Sequence, residues 1–251
     1  MERQRFGIRF RKFERIALLP QQEGKLPFKQ DDFIVVDTNR GFECGQVVSL
    51  APGSEKRHPF EIIVNKFKRV ATPEDLAKLR ELEEKEKEYL KLCNRKIEEY
   101  KLPIKIVGVE LLFDGYKVFF HYRKIDENEH KKQAVNIRPL LQDLNKELQL
   151  KVEIREVGMR GEAKIIGGLG ECGKTLCCAN WLHRSRPITV KMAKEQGLAI
   201  NINKLSGVCG RLKCCLQYEK ECYHEGRIAD QPHPEKKADE LEDFNKIFKE
   251  E

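Results

Sequence analysis

Apolar residues alternate with polar ones at the start of the chain, take a helical spacing after Thr72, and return to alternation after Ile104. From Arg5 to Arg11 the alternation puts Phe6, Ile8 and Phe10 on one side, the period of a half-buried strand. Phe33 to Asp37 and Gln46 to Leu50 are β-rich runs joined by the turn-prone Thr38, Asn39, Arg40 and Gly41, and Ile62 to Phe67 adds another. Residues 1–70 therefore read as a small antiparallel sheet or barrel. Cys44, at the entry to the second of these strands, reads as a small half-buried hydrophobe.

A helix is expected to open at Thr72 and Pro73. Thr supplies a cap oxygen, Pro fits the first turn, and Glu74 and Asp75 suit the positive end of the helix dipole. Leu76, Leu79, Leu82, Tyr89, Cys93, Ile97 and Tyr100 form one stripe with a polar gap near Glu86. That gap predicts a helix that projects from the body and docks again further on, with Arg80 to Glu88 as a solvated face and Cys93 as stripe filler. Val107, Val109, Leu111 and Phe113 then run into Asp114-Gly115, and Tyr116, Val118, Phe120 and Tyr122 run out, which predicts a hairpin with a two-residue turn. His121 on the outgoing strand reads as a surface residue. Ile137, Leu140, Leu141, Leu144 and Leu148 share a helical face capped by Asn136, and Leu150, Val152 and Ile154 alternate again. Residues 71–165 thus read as a long helix followed by a hairpin-helix-strand layer with helices on one sheet face. The fold class is α+β.

Residues 166–224 are set apart by cysteine. Six of the nine cysteines lie in two copies of Cys-Gly-basic-x-x-Cys-Cys, thirty-seven positions apart. The first copy holds Cys172, Cys177 and Cys178, and the second Cys209, Cys214 and Cys215. Beyond them, residues 225–251 form an acidic tail with nine acidic and five basic side chains, carrying an apolar set at Leu241, Phe244, Ile247 and Phe248. The whole chain carries a net charge of +7, so the residues before the tail carry +11. Lys174 to Lys220 holds nine basic residues against Glu195 and Glu219. Such a surface suits phosphate, RNA or DNA, or an acidic partner, and equally offsets anionic thiolates. No apolar run approaches the roughly 18 residues of a membrane span and no signal-peptide core opens the chain, so a cytoplasmic protein is expected. In that reducing compartment clustered thiols point to metal or redox chemistry rather than disulfides.

Zinc sites favour Cys-x2-Cys corners, which are absent here. The four-residue gap from Cys172 to Cys177 and from Cys209 to Cys214 matches the first spacing of plant-type ferredoxins, although the adjacent Cys-Cys does not. Spacing leans towards an iron–sulfur cluster, with zinc as the alternative. Six thiols, or seven with Cys222, suffice for one four-thiolate site and fall short of two. Either one cluster spans both copies or another protein completes two. His183 and His224 read as surface residues and Trp181 as packing. Gly168 to Thr175 also satisfies the phosphate-loop pattern G-x-x-x-x-G-K-T, with Lys164 to Ile166 as a possible strand before it and Leu176 to Leu182 as a possible helix after it. No apolar run ending in a magnesium-binding Asp follows, and the alternating α/β pattern of a nucleotide-binding domain is missing, so nucleotide chemistry is disfavoured. A thiol–disulfide enzyme would need Cys-x-x-Cys in a thioredoxin-like pattern, and neither is present.

Gly167-Gly168-Leu169-Gly170-Glu171-Cys172-Gly173, the doublet Cys177-Cys178, Lys191-Met192-Ala193-Lys194, Asn201, Lys204, and Ser206 to Cys215 resemble the bacterial YaaT/RicT family, and Pro73 to Gly168 is similar to its PSP-one C-terminal domain. The resemblance implies a non-catalytic subunit of a regulatory iron–sulfur complex, with a [4Fe-4S] cluster as cofactor. It implies RicA-like and RicF-like partner subunits and action with ribonuclease Y in mRNA processing, affecting sporulation, competence and biofilm formation. By matched positions it makes Cys172, Cys177, Cys178 and Cys209 ligand candidates, with Cys214 and Cys215 next. Family members often carry Arg-Pro where this chain has Lys174-Thr175, which marks the phosphate-loop match as incidental.

Overall fold

Alternation in the first seventy residues resolves into five strands, β1 (Arg5–Phe10), β2 (Ile16–Leu18), β3 (Phe33–Thr38), β4 (Gly41–Leu50) and β5 (Val64–Val70). The computed structural model describes residues 5–11, 16–20, 27–50, 62–125, 135–179, 182 and 187–224. The strands form an antiparallel sheet in the order β2-β1-β4-β3-β5. Ile8 lies opposite Val47, and Ile8, Phe10, Ile34, Val36, Val47 and Val64 pack into one cluster with Phe28. The Phe28 ring meets Phe6 at 6.0 Å and Phe67 at 5.3 Å. β4 begins five residues before the expected Gln46, and the turn contracts to Asn39 and Arg40 because Thr38 pairs with Gly41. The early part of β4 was hidden by Glu43, a polar residue that is buried, with Oε1 3.1 Å from Thr38 Oγ1 and 3.5 Å from Arg40 Nε.

The long helix α1 (Pro73–Glu99) starts as its capping residues require. Thr72 Oγ1 accepts from the Asp75 N–H, and Asp75 Oδ2 accepts from the Thr72 N–H at 2.8 Å, a reciprocal capping box. The Arg69 guanidinium also binds Asp75 and holds its carboxyl well below the usual carboxylate range, chiefly through that hydrogen bond. The polar gap does not project. Glu86 is buried at 3% exposure and accepts from Arg11 Nη2 at 2.7 Å, Arg11 Nη1 at 2.9 Å and the Leu111 N–H at 2.7 Å. A paired carboxylate thus occupies the gap in the apolar stripe, and the rest of the Arg80 to Glu88 stretch bears charges such as Lys87 and Glu84 that pair on the surface. Cys93 is fully buried in the main cluster, and burial pushes its thiol up to about 12. Burial likewise pushes the Cys44 thiol up to about 11, so neither is poised as a nucleophile.

A second sheet, β6 (Ile104–Leu111), β7 (Lys117–Lys124) and β8 (Lys151–Glu156), has β7 at its centre. β6 and β7 are antiparallel, while β8 runs parallel to β7 after the crossover helix α2 (Arg138–Leu148). The cap falls one residue later than expected, at Ile137, which makes no side-chain cap bond, while Asn136 Oδ1 just before it accepts from the Arg138 N–H at 3.2 Å. Val118, Phe120, Val152, Leu140 and Leu144 join the α1 stripe in one core, so helices do cover one sheet face. The hairpin turn is longer than two residues. The Leu112 N–H donates to Lys117 O and the Gly115 N–H to Leu112 O, with Gly115 at φ 74°, leaving Phe113 to Tyr116 as a four-residue loop. A register shift between Ile106 and Gly108 takes Val107 out of the inward alternation.

His121 is not on the surface. It is 2% exposed, with Nε2 3.7 Å from Glu110 Oε2, and Glu110 in turn lies 2.7 Å from Arg40 Nη2. Arg40, Lys117 and Arg155 also surround the buried Phe119 ring at 4.5, 4.7 and 4.2 Å. The other face of this sheet is therefore a charged layer, which period-two patterning treats as solvent. A further helix, α3 (Met159–Ile166), follows β8 and anchors through Glu162 to Arg123 and Lys105. The chain divides into two units after it, Met1–Ile166 and Gly167–Glu251. The acidic tail with Leu241, Phe244, Ile247 and Phe248 lies outside the described residues. No helix among those described is long and apolar enough to cross a membrane.

Replacing Glu86 by Ala leaves Arg11 half-buried without its main partner and strands the Leu111 N–H, for an expected loss of about 3 kcal/mol. A urea denaturation midpoint measures it, and Arg11→Met combined with Glu86→Leu should lose less. Asp75→Asn should cost about 1 kcal/mol at pH 7. Because the folded pKa of Asp75 is depressed, its contribution is present above its unfolded pKa of about 3.9 and vanishes as pH falls towards the folded value. The stability difference between wild type and variant should therefore begin to shrink below about pH 4 and continue to fall as the pH is lowered further.

Candidate functional site

Glycine placement shapes the cysteine segment. The Gly170 N–H donates to Lys174 O at 2.8 Å, Gly173 N–H to Gly170 O at 2.9 Å, Leu176 N–H to Gly168 O at 3.1 Å and Ala179 N–H to Leu176 O at 3.0 Å. Thirty-seven residues on, the Gly207 N–H donates to Arg211 O at 2.7 Å, Gly210 N–H to Gly207 O at 2.9 Å, Lys213 N–H to Leu205 O at 2.8 Å and Leu216 N–H to Lys213 O at 3.2 Å. Leu169 pairs with Thr175 and Ser206 with Leu212 as antiparallel bridges. Each copy is thus the same tight hairpin, with loops Glu171-Cys172-Gly173 and Val208-Cys209-Gly210. Each loop ends in a left-handed glycine, at φ 74° for Gly173 and 75° for Gly210. The sequence repeat is a structural repeat.

Each hairpin carries one cysteine in its loop and a doublet just beyond its returning strand. Cys172 is exposed, Cys177, Cys209, Cys214 and Cys215 are half-buried, and Cys178 is buried. Around the second copy, α4 (Val190–Glu195), α5 (Ile202–Leu205) and α6 (Cys215–His224) pack Ala193, Leu205, Leu212 and Leu216 into a small core. Gln196 Nε2 donates to Leu216 O beneath it. Among the described residues a hydrogen bond joins the copies. Lys213 Nζ donates to Glu171 Oε2 at 2.6 Å. The Cys215 thiol is pushed above its ordinary value by burial first, then by Glu219 and by Cys177 of the other copy. Among the described residues no three His, Cys, Asp or Glu side chains are grouped to hold a metal ion. Trp181 and His183 lie outside the described residues, as do the side chains of Cys222 and His224.

The phosphate-loop look-alike takes a different form. Lys164 to Ile166 is the last turn of α3 rather than a strand, and Leu176 to Ala179 turns without forming a helix. The Gly170 and Gly173 amides, which a phosphate cradle would aim at its ligand, are bonded within the hairpin. The contact between Glu171 and Lys213 was not legible in sequence, because side chains 42 positions apart carry no local signal.

Residues 65–157 match the PSP1 C-terminal conserved region, and residues 187–229 match the third domain of PSP1-like proteins. Over 217 residues, 86% of this chain and 75% of the relative, the sequence is 36% identical to the stage 0 sporulation protein YaaT of Bacillus subtilis (strain 168). An uncharacterized protein of Schizosaccharomyces pombe is 25% identical over 153 residues, which is 49% of this chain and 19% of that protein. No solved structure matches. The chain is thus a PSP1-region protein with a duplicated cysteine hairpin. It belongs to the YaaT/RicT family.

Gly173→Ala should lower the stability of the first hairpin by about 1 kcal/mol, since nothing crowds the added methyl but φ 74° strains it. Gly170→Ala should be close to neutral, because its nearest contact would be 3.6 Å at ordinary φ. Amide exchange across residues 167–179 separates the two.

Proposed function

We propose that this chain is a non-catalytic subunit of a regulatory complex, that its two cysteine hairpins hold an iron–sulfur cluster with partner subunits, and that the complex modulates mRNA processing. The observation that carries the reading is the duplication. Two hairpins with the same backbone bonds offer the same set of thiols, Cys172, Cys177 and Cys178 from one and Cys209, Cys214 and Cys215 from the other. The donor chemistry fits, because thiolates are the ligands that iron–sulfur clusters take. The count fits one four-thiolate site. A bound cluster would supply redox-active iron. The chain's own part is to present thiols on preshaped loops, with Lys174, Arg211 and Lys213 adjacent to moderate the negative charge. Family membership supports the regulatory half of the reading: the Bacillus subtilis relative bears a stage 0 sporulation name. By the same likeness the partners are RicA-like and RicF-like subunits, with ribonuclease Y as the nuclease acted upon.

Anaerobic purification followed by iron, sulfide and zinc analysis tests the proposal. Iron and sulfide in comparable amounts, lost on replacing Cys172 and Cys209 by Ser, are expected. Zinc alone, or no metal, under cluster-preserving conditions would overturn it, and zinc together with salt-dependent RNA binding would point to a nucleic-acid protein acting through the basic Lys174 to Lys220 surface.

A further inference from the structure

The two hairpins share their backbone bonds but differ at several aligned positions, and at two of these a charged residue in one copy aligns with an apolar one in the other. Where the first copy has Glu171 the second has Val208, and where the second has Lys213 the first has Leu176. These two odd positions meet: Lys213 Nζ donates to Glu171 Oε2 at 2.6 Å. The same ammonium donates to Lys204 O at 2.6 Å, at the end of α5. On its way the Lys213 stem passes the second hairpin, with Cγ 3.9 Å from where a Gly207 methyl would sit. One side chain therefore touches the loop of the first hairpin, the base of the second and the helix that leads into it. Its own residue directly precedes the Cys214-Cys215 doublet, and Glu171 directly precedes Cys172.

We infer that Lys213 and Glu171 are a positioning pair that fixes one cysteine hairpin against the other, and so sets the spacing between the thiols of the two copies. The inference deepens the proposed cluster-holding role and rests on it for its functional meaning, although the pairing itself does not. A surface ion pair is ordinarily worth little, and Glu171 is more than half exposed. This one gains from a second acceptor on the same ammonium, which limits the freedom the lysine has to lose. Both ends of the pair lie next to a thiol, so a shift of the hairpins moves Cys172 relative to Cys214 and Cys215 even where neither hairpin unfolds.

Amide hydrogen exchange on the metal-free full chain tests the pairing. Lys213→Gln and Glu171→Gln should each raise exchange in residues 167–176 by about threefold. The double variant should be no worse than Lys213→Gln alone, and Glu171→Lys with Lys213→Glu should recover protection in the first hairpin. Residues 118–124 of β7 serve as the control for general loosening. Unchanged exchange in Glu171→Gln, additive effects in the double variant, or absence of charge-swap rescue would overturn the inference. Titration with Co(II), followed by thiolate-to-metal absorption, then reads the functional consequence. Binding weakened in the single variants and restored in the swap is expected, while equal binding in all variants would remove the positioning role. A wild type that gives no thiolate absorption and holds no iron would count against the cluster reading instead, with the exchange result still deciding the pair.

Discussion

A carboxylate in the middle of a long helix holds the first unit together. Glu86 joins α1 to the end of β1 through Arg11 and to β6 through the Leu111 N–H, so one side chain ties together the helix and both sheets. Burying that charge is costly, and the three hydrogen bonds it accepts are what offset the cost. A second buried layer, with Arg40, Glu43, Glu110 and His121, lies between the Asn39-Arg40 turn and the second sheet. Apolar packing supplies the bulk of the core, while these paired charges set how its parts are oriented.

The second unit uses a different device. Its core is small, with Ala193, Leu205, Leu212 and Leu216 at the centre, and the hairpins beside it are shaped by backbone bonds and left-handed glycines more than by burial. These hairpins carry the six thiols, of which Cys172 is exposed, Cys178 buried and the rest half-buried. The buried Cys44 and Cys93 contrast with them: burial raises both thiols, to about 11 and about 12, which leaves them protonated at neutral pH.

Much of this was legible in the sequence where local rules act alone. The Thr72-Pro73-Asp75 start of α1, the alternation of β1, the α2 stripe and the copied cysteine pattern each needed only neighbours in the chain. The misreadings share one cause. Glu86, Glu43 and His121 are polar residues buried by partners distant in sequence, and a period-based reading assigns every polar residue to water. The longer β6–β7 loop was missed because Asp114-Gly115 marks a turn without fixing its length, and α3 because Gly161 and its short span weaken the helical signal. At the candidate site the thiols and their repeat were visible, and the link between the copies was not.

The self-contained bonding of each hairpin has a consequence for occupancy. In small metal-dependent modules the apo chain is unfolded, and loading and folding are one event. Here the loops that present the thiols close on their own carbonyls. On the proposed cluster-holding reading, loading and unloading would then be a local exchange on hairpins that already carry their own backbone bonds.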